Sequence, residues 1–369
     1  MIEKGKISAL QLAMILYPAI VATGDLIIPA FTARLAKRDL WMSPIWAIVV
    51  GLIVLYIMYR LYKIYPNETL IQQLERIFGS ILGKAIGACY LFAILHINGM
   101  IVRQYADFVT MVFLRNTPIL FIIASMVLVC AITVRGGIEA IARSAQILVP
   151  LLILSWIIIL VLLIPDMQPH NLLPVFANGV QPSLKGAVPT GGWFAHFALV
   201  SFLLPHLVNP QKAMKWGTIA AIFIMVTLVL ITMATLFIFG DITSQLQYPV
   251  MMAIRYINVA DFFEHVEAIM VAIWVIGAFI KISIYFYVFV LGTSQLLHLS
   301  DFRPIVYPSG ILLALFTLWV APNIQEFAHY LGTSTPFENM TFELVLPAGL
   351  LLAAILRNKF QPRVRRHGG

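Results

Sequence analysis

The sequence predicts an all-α integral membrane protein of about ten transmembrane helices, and three observations carry that reading. Hydrophobic residues make up 61% of the chain and charged residues 11%, with a mean hydropathy of +0.94, whereas an average soluble chain is roughly a quarter charged. The apolar residues are gathered into long runs separated by short polar stretches, so the 369 residues divide into helices, not soluble domains. The charges sit at the ends of those runs.

A hydrocarbon core about 30 Å thick needs about 20 helical residues to cross it. On that ruler ten runs qualify: 8–36, 43–65, 82–114, 117–134, 141–164, 187–207, 213–239, 262–297, 305–320 and 341–356. Segment 68–81 (ETLIQQLERIFGSI) mixes apolar and charged residues at helical spacing, is too polar to cross, and reads as an interfacial helix. The Pro/Gly/Asn-rich connection 165–185 and the connection 241–261 are the expected external loops. The amino-terminal MIEKGKISAL runs into the first apolar segment without a small-residue cleavage site, so no removable signal peptide is expected.

A net charge of +8 and a pI near 9.5 raise the question of nucleic-acid binding. The distribution answers it. Sixteen Lys and Arg fall on one side of the ten spans and six on the other, with Arg103 and Lys281 inside the membrane, which accounts for all 24. That asymmetry is the orientation signal of a membrane protein; it predicts both termini in the cytoplasm and no nucleic-acid partner. Cys89 and Cys130 lie in apolar runs near the cytoplasmic side and are expected to be packed thiols. The histidines and cysteines form no metal motif, and no nucleophile–base constellation appears, so neither a metal, a cofactor nor an enzymatic activity is expected.

Ten spans with both ends inside divide into 1–165 and 166–369, five helices each, and an odd number per half gives the halves opposite orientation. This is the arithmetic of an inverted repeat, in which the first helix of each half is broken near the midplane and its free backbone groups face a ligand. Thr23-Gly24-Asp25 and Pro189-Thr190-Gly191-Gly192 are the expected breaks, with close helix packing at Gly24 and a simple helix start at Pro189 as the alternative.

Charged residues at membrane depth are costly and mark candidate function. Asp25, Arg103, Asp107 and Lys281 form the expected charge network. Arg103 and Asp107 are four apart and share a helix face, which favours a local ion pair, while Asp25 has Arg103 and Lys281 as candidate partners. The expected ligand site draws on Thr23, Gly24 and Asp25 from the first span, His96 and Asn98 from the third, Gly191, Gly192 and Trp193 from the sixth, and Ser283 and Tyr287 from the eighth. Tyr105, His196 and Tyr285 belong to the same polar and aromatic set. Apolar walls with a few convergent polar groups are what a small-molecule site requires.

Four segments carry a resemblance. YPNETLIQQLERIFGSILGKAIGACY (65–90), ISALQ (7–11) with DLW (39–41), GGIEAIARSAQILVPLLI (136–153) and NLLPVFANGVQPSLKGA (171–187) resemble the spore germination permease family, the B-subunits of bacterial spore germinant receptors. The resemblance implies a leucine-transporter-like fold of the amino acid, polyamine and organocation transporter superfamily. It also implies sensing of a nutrient, an amino acid first among candidates, beside A-type and C-type subunits in the inner membrane of the spore. A working amino acid permease is the alternative. In the family pattern a glutamate often follows the Pro-x-Gly at the start of the sixth helix; Gly192 stands there in this chain.

Overall fold

The computed structural model describes residues 3–255 and 266–360, and those residues are helical with short connections. The helix α1 (Ala9–Ala36) begins in a capping box: Ser8 Oγ accepts from the Gln11 N–H and the Gln11 side chain accepts from the Ser8 N–H. A 3₁₀ corner at Lys37–Met42 turns the chain into α2 (Ser43–Ile64). These two helices together form one continuous apolar stretch of 56 residues, twice what one crossing needs. The amphipathic segment is the short helix α3 (Leu70–Phe78), followed by α4 (Ser80–Val112). Gly79 at φ +83° makes the turn between them, and at Gly83 a side chain would lie 2.5 Å from Glu75 Cα, so only glycine lets α4 pack on α3.

The first half closes with α5 (Ile119–Arg135), a short apolar helix, and α6 (Ile138–Leu163). The sixth crossing is composite: α7 (Gln181–Phe194) passes into 3₁₀ backbone at Ala195–Leu199, one α turn, α8 (Val200–Leu203), and a second 3₁₀ turn at Leu204–His206. Next come α9 (Ala213–Phe239), the short α10 (Pro249–Arg255) and α11 (Val266–Leu296). Residues 262–265, the expected start of the eighth span, lie outside the described residues. The helix α12 (Val306–Trp319) has 14 residues and reaches only about 21 Å; the chain then bends by 97° into α13 (Ile324–Thr333). The last crossing, Thr335–Arg357, comprises α14 (Thr335–Met340), a π turn at Thr341–Val345 and α15 (Leu346–Phe360). Among the described residues each of the ten expected spans contains helix, and seven helices, or eight with the bent pair as one span, are long and apolar enough to cross a membrane.

Helices α1 and α11 are the core. The first packs against α6, α7, α9 and α11, and α11 packs against α1, α4, α5 and α6. The outer surfaces of α5, α6, α9 and α12 expose Phe121, Ile147, Phe223 and Ile311, the apolar exterior that a helix bundle presents to lipid.

Three expectations need correction. The helix α1 runs without interruption through Thr23-Gly24-Asp25, so no free half-helix end exists there. Residues that destabilise an isolated helix are tolerated here because α1 is buried over most of its length among other helices. In the sixth crossing the α-helix continues through Gly191-Gly192 and changes to 3₁₀ backbone only at Ala195. Finally, Cys89 is exposed on the surface of α4, while Cys130 is buried as expected and lies 3.7 Å from the carbonyl of Phe279.

The two faces of the bundle are tied differently. On the face carrying the amino-terminal segment, Ile7 bridges to Leu207, and Glu3 accepts from the N–H groups of Gly5 (2.7 Å) and Ile138 (3.2 Å). Glu3 therefore caps α6, whose own N-cap residue is Gly137 at φ +81°. On the opposite face Arg38 grips Asp241 through Nε (3.0 Å) and Nη2 (2.8 Å) and also the carbonyl of Leu173. Asp39 accepts from the Phe176 N–H at 3.0 Å. The corner between α1 and α2 is thereby fastened to both of the long connections on that side.

Candidate functional site

Near the middle of α1, Thr23 collects donors from three other helices. Lys281 Nζ on α11 donates to its Oγ1 at 2.6 Å, Trp193 Nε1 on α7 donates to the same oxygen at 3.1 Å, and Gln104 Nε2 on α4 donates to its carbonyl at 3.1 Å. These residues, with His196, Thr335 and Asn339, line a pocket midway along the helices, whose apolar wall is Ile97, Met100, Ile101 and Leu331. Its volume is about 20 Å³, space for about one water molecule. A second small pocket of about 20 Å³ shares Gln104 and Leu331 with it and lies against α13, lined further by Phe31, Tyr248 and Phe327. Larger clefts open on the two faces: about 310 Å³ beside Glu3, Thr69 and His206, and about 440 Å³ beside Lys37, Arg38 and Asp241.

Behind the pocket stands a buried polar cluster. Glu343, fully buried in the π turn of the last crossing, accepts from Tyr285 Oη at 2.8 Å and is joined to His196 Nδ1 at 2.7 Å. A π turn inserts one residue into a helix and re-aims a side chain, and such turns recur at functional sites. On the pocket wall itself, Asn339 Nδ2 donates to the Gly192 carbonyl at 3.3 Å, and its Oδ1 is buried without a hydrogen-bond partner.

The expected site residues divide accordingly. Thr23 and Trp193 line the pocket. Gly24 sits beside it: a methyl group there would meet the flexible tip of Ile28 (Cδ1) at 2.9 Å and would only touch Trp193 Cδ1, at 3.5 Å. Gly191 and Gly192 face the last crossing instead, where a Gly192 side chain would lie 2.7 Å from Pro336 Cα. Asn98 is buried nearby, with Nδ2 at 3.5 Å from the Ile282 carbonyl and Oδ1 unpartnered. His96 is drawn to another cluster, 2.5 Å from Glu338, whose second carboxylate oxygen accepts from Tyr330. Ser283 and Tyr287 are fully buried on α11 and do not line the pocket; the Tyr287 ring packs edge-on against Phe302.

The charge network is simpler than expected. Arg103 Nε spans both oxygens of Asp107 at 3.0 and 2.9 Å, the expected local pair, and Nη1 donates to the Ala321 carbonyl at 2.9 Å, which pins α4 to the bend between α12 and α13. Asp25 pairs with neither candidate cation. Its Oδ2 accepts from Trp274 Nε1 at 2.7 Å and its Oδ1 is unpartnered, because Arg103 is held by Asp107 and Lys281 by Thr23.

Sequence reasoning missed Glu343, Gln104, Asn339 and Glu338. Glu343 was legible as an acid inside the last apolar run. Residues 324–340 fall between the last two expected spans; there Asn323 is an N-cap three residues before Glu326, the signature that starts α13.

Comparison with known proteins agrees with this architecture. Spore germination protein KB of Bacillus subtilis (strain 168) is 27% identical over 363 residues, covering 97% of this chain and 96% of that protein. Spore germination protein YndE of the same organism is 25% identical, covering 96% and 98%, and spore germination protein XB of Bacillus anthracis is 22% identical, covering 74% and 77%. Among solved structures, Mhp1, a nucleobase-cation-symport-1 family transporter in a closed conformation with bromovinylhydantoin bound, superposes with a TM-score of 0.66 at 12% identity, over 94% of this chain and 78% of that one. The fold is therefore that of a leucine-transporter-like membrane transporter. The family model described as "Spore germination protein" matches residues 6–324, and the chain belongs to the spore germination permease family.

Proposed function

We propose that this chain is the nutrient-sensing membrane subunit of a spore germinant receptor, and that a small molecule, an amino acid first among candidates, binds in the midplane pocket. The pocket carries the reading: α1, α4, α7, α11, α13 and α14 each contribute a side chain to one small cavity among the helices. A ligand that fits one arrangement of these helices better than another shifts the balance between them, and A-type and C-type partner subunits read that shift. The charge asymmetry supports placing both termini and the Glu3 face in the cytoplasm, with the chain in the inner membrane of the spore. The two halves, 1–165 and 166–369, act as the repeats that move against each other.

The test replaces Trp193, which lines the pocket, with Ala. Spores carrying Trp193→Ala are expected to accumulate the protein and lose the nutrient response; an unchanged dose response with normal protein levels places the site elsewhere. Single cysteines at Asn67 and Asn178, in a Cys89→Ser background, are expected to react with an impermeant thiol reagent from opposite sides of the membrane.

A secondary transporter of amino acids or related cations is the second reading, favoured by the fold shared with a transporter. Uptake of a labelled nutrient into proteoliposomes supports transport, and nutrient-induced thermal stabilisation without uptake supports sensing alone.

A further inference from the structure

Lys281 is a buried ammonium group whose bonding is incomplete. It carries three donors, and the structure supplies Thr23 Oγ1 at 2.6 Å. No ion pair engages it among the described residues: Glu343 is taken up by His196 and Tyr285, and the bonded oxygen of Asp25 belongs to Trp274. A cation fully withdrawn from water is costly without an anion. The chain nonetheless places this one on the wall of a pocket. Another wall of the same pocket carries the complementary deficiency, the buried and unpartnered Asn339 Oδ1. Met100, Ile97 and Leu331 supply apolar surface beside them.

We propose that Lys281 binds the carboxylate of the ligand and that Asn339 Oδ1 accepts from its ammonium group, so that the pocket takes a small apolar amino acid. This assignment rests on the pocket being the ligand site. It moves carboxylate recognition away from α1, whose backbone is continuous at Gly24 and has no free N–H groups to offer there. A neutral sugar or nucleoside offers Lys281 no direct ion pair. The pocket as it stands is too small for any of these, and Leu331, Thr335 and Asn339 belong to α13 and α14. Admission therefore requires the lining helices to separate. A zwitterion joining Lys281 on α11 to Asn339 on α14 favours the arrangement that holds those two helices together.

The experiment uses the full chain in lipid nanodiscs and reads thermal stabilisation and binding. The probes are L-alanine, L-valine and L-leucine, the corresponding amino amides and deaminated carboxylic acids, glucose and adenosine. At least one amino acid is expected to stabilise the protein, with its amide and its deaminated acid each about tenfold weaker or worse. Lys281→Met abolishes that stabilisation and Asn339→Leu weakens it. The analogue series needs no variant, so misfolding of Lys281→Met leaves the assignment open to refutation. An amide as potent as its amino acid, or wild-type affinity in a folded Lys281→Met, overturns it. Stabilisation by glucose or adenosine but by no amino acid overturns it while leaving the pocket as the ligand site. No response to any probe removes both.

Discussion

Lys281 on α11 and Thr23 on α1 meet at 2.6 Å, although 258 residues separate them, and Trp193 shares the same threonine oxygen. One hydroxyl thus joins the first, sixth and eighth crossings at the wall of the pocket. Removing it in Thr23→Val leaves a buried ammonium and a buried indole N–H without their acceptor. The expected loss is about 2–3 kcal/mol of stability, since a hydrogen bond to a charged group contributes about 1.5–3 kcal/mol. Thr23→Ser is expected to retain most of it. Thermal unfolding of the purified variants checks the contrast, and equal losses in both would show that the methyl group, not the hydroxyl, matters.

Arg103 and Asp107 form a buried pair that also holds the bend between α12 and α13 through the Ala321 carbonyl. Arg103→Met strands a carboxylate among apolar helices and is expected to cost about 3–5 kcal/mol. Adding Asp107→Leu removes the stranded charge and is expected to recover at least half of that. A double variant no more stable than Arg103→Met refutes the pairing as the source of the loss.

Two glycines in the candidate set are expected to respond oppositely to alanine. At Gly192 the new methyl group lies 2.7 Å from the backbone Cα of Pro336, and α7 and α14 must separate, at about 1–3 kcal/mol. At Gly24 it meets the movable tip of Ile28 at 2.9 Å, and alanine favours helix over glycine. Gly24→Ala is therefore expected to be as stable as the parent or more so. A large loss at Gly24 together with none at Gly192 would contradict the packing described above.

Glu3 caps α6 on the amino-terminal face, and Gly137 leaves room for its carboxylate. Glu3→Ala is expected to cost about 1 kcal/mol, the usual loss for a helix cap. Gly137→Ala places a side chain at φ +81° and 2.5 Å from Glu3 Oε2, and is expected to cost more. Because the alanine displaces the carboxylate, the double variant should lose less than the sum of the two. Strict additivity in thermal unfolding would show that Glu3 and Gly137 act independently.

Local physics was legible in the sequence. Hydropathy over about 20 residues located the spans because each helix must satisfy its own backbone in lipid. The mixed pattern of 68–81 gave α3, and the four-residue spacing of Arg103 and Asp107 gave their ion pair, since neighbours on one helix face meet whatever the fold. Only the tertiary structure decided the rest. The surroundings of Gly24 and Asp25 are set by Trp193 and Trp274, which arrive from distant helices to pack near one residue and bond the other. The choice by Lys281 of Thr23 over Asp25, and the burial of Glu343 between His196 and Tyr285, are likewise set by which helix faces come together. A sequence states the depth of a polar group along its own helix; its partner is chosen by the rotation and offset of helices that only packing determines.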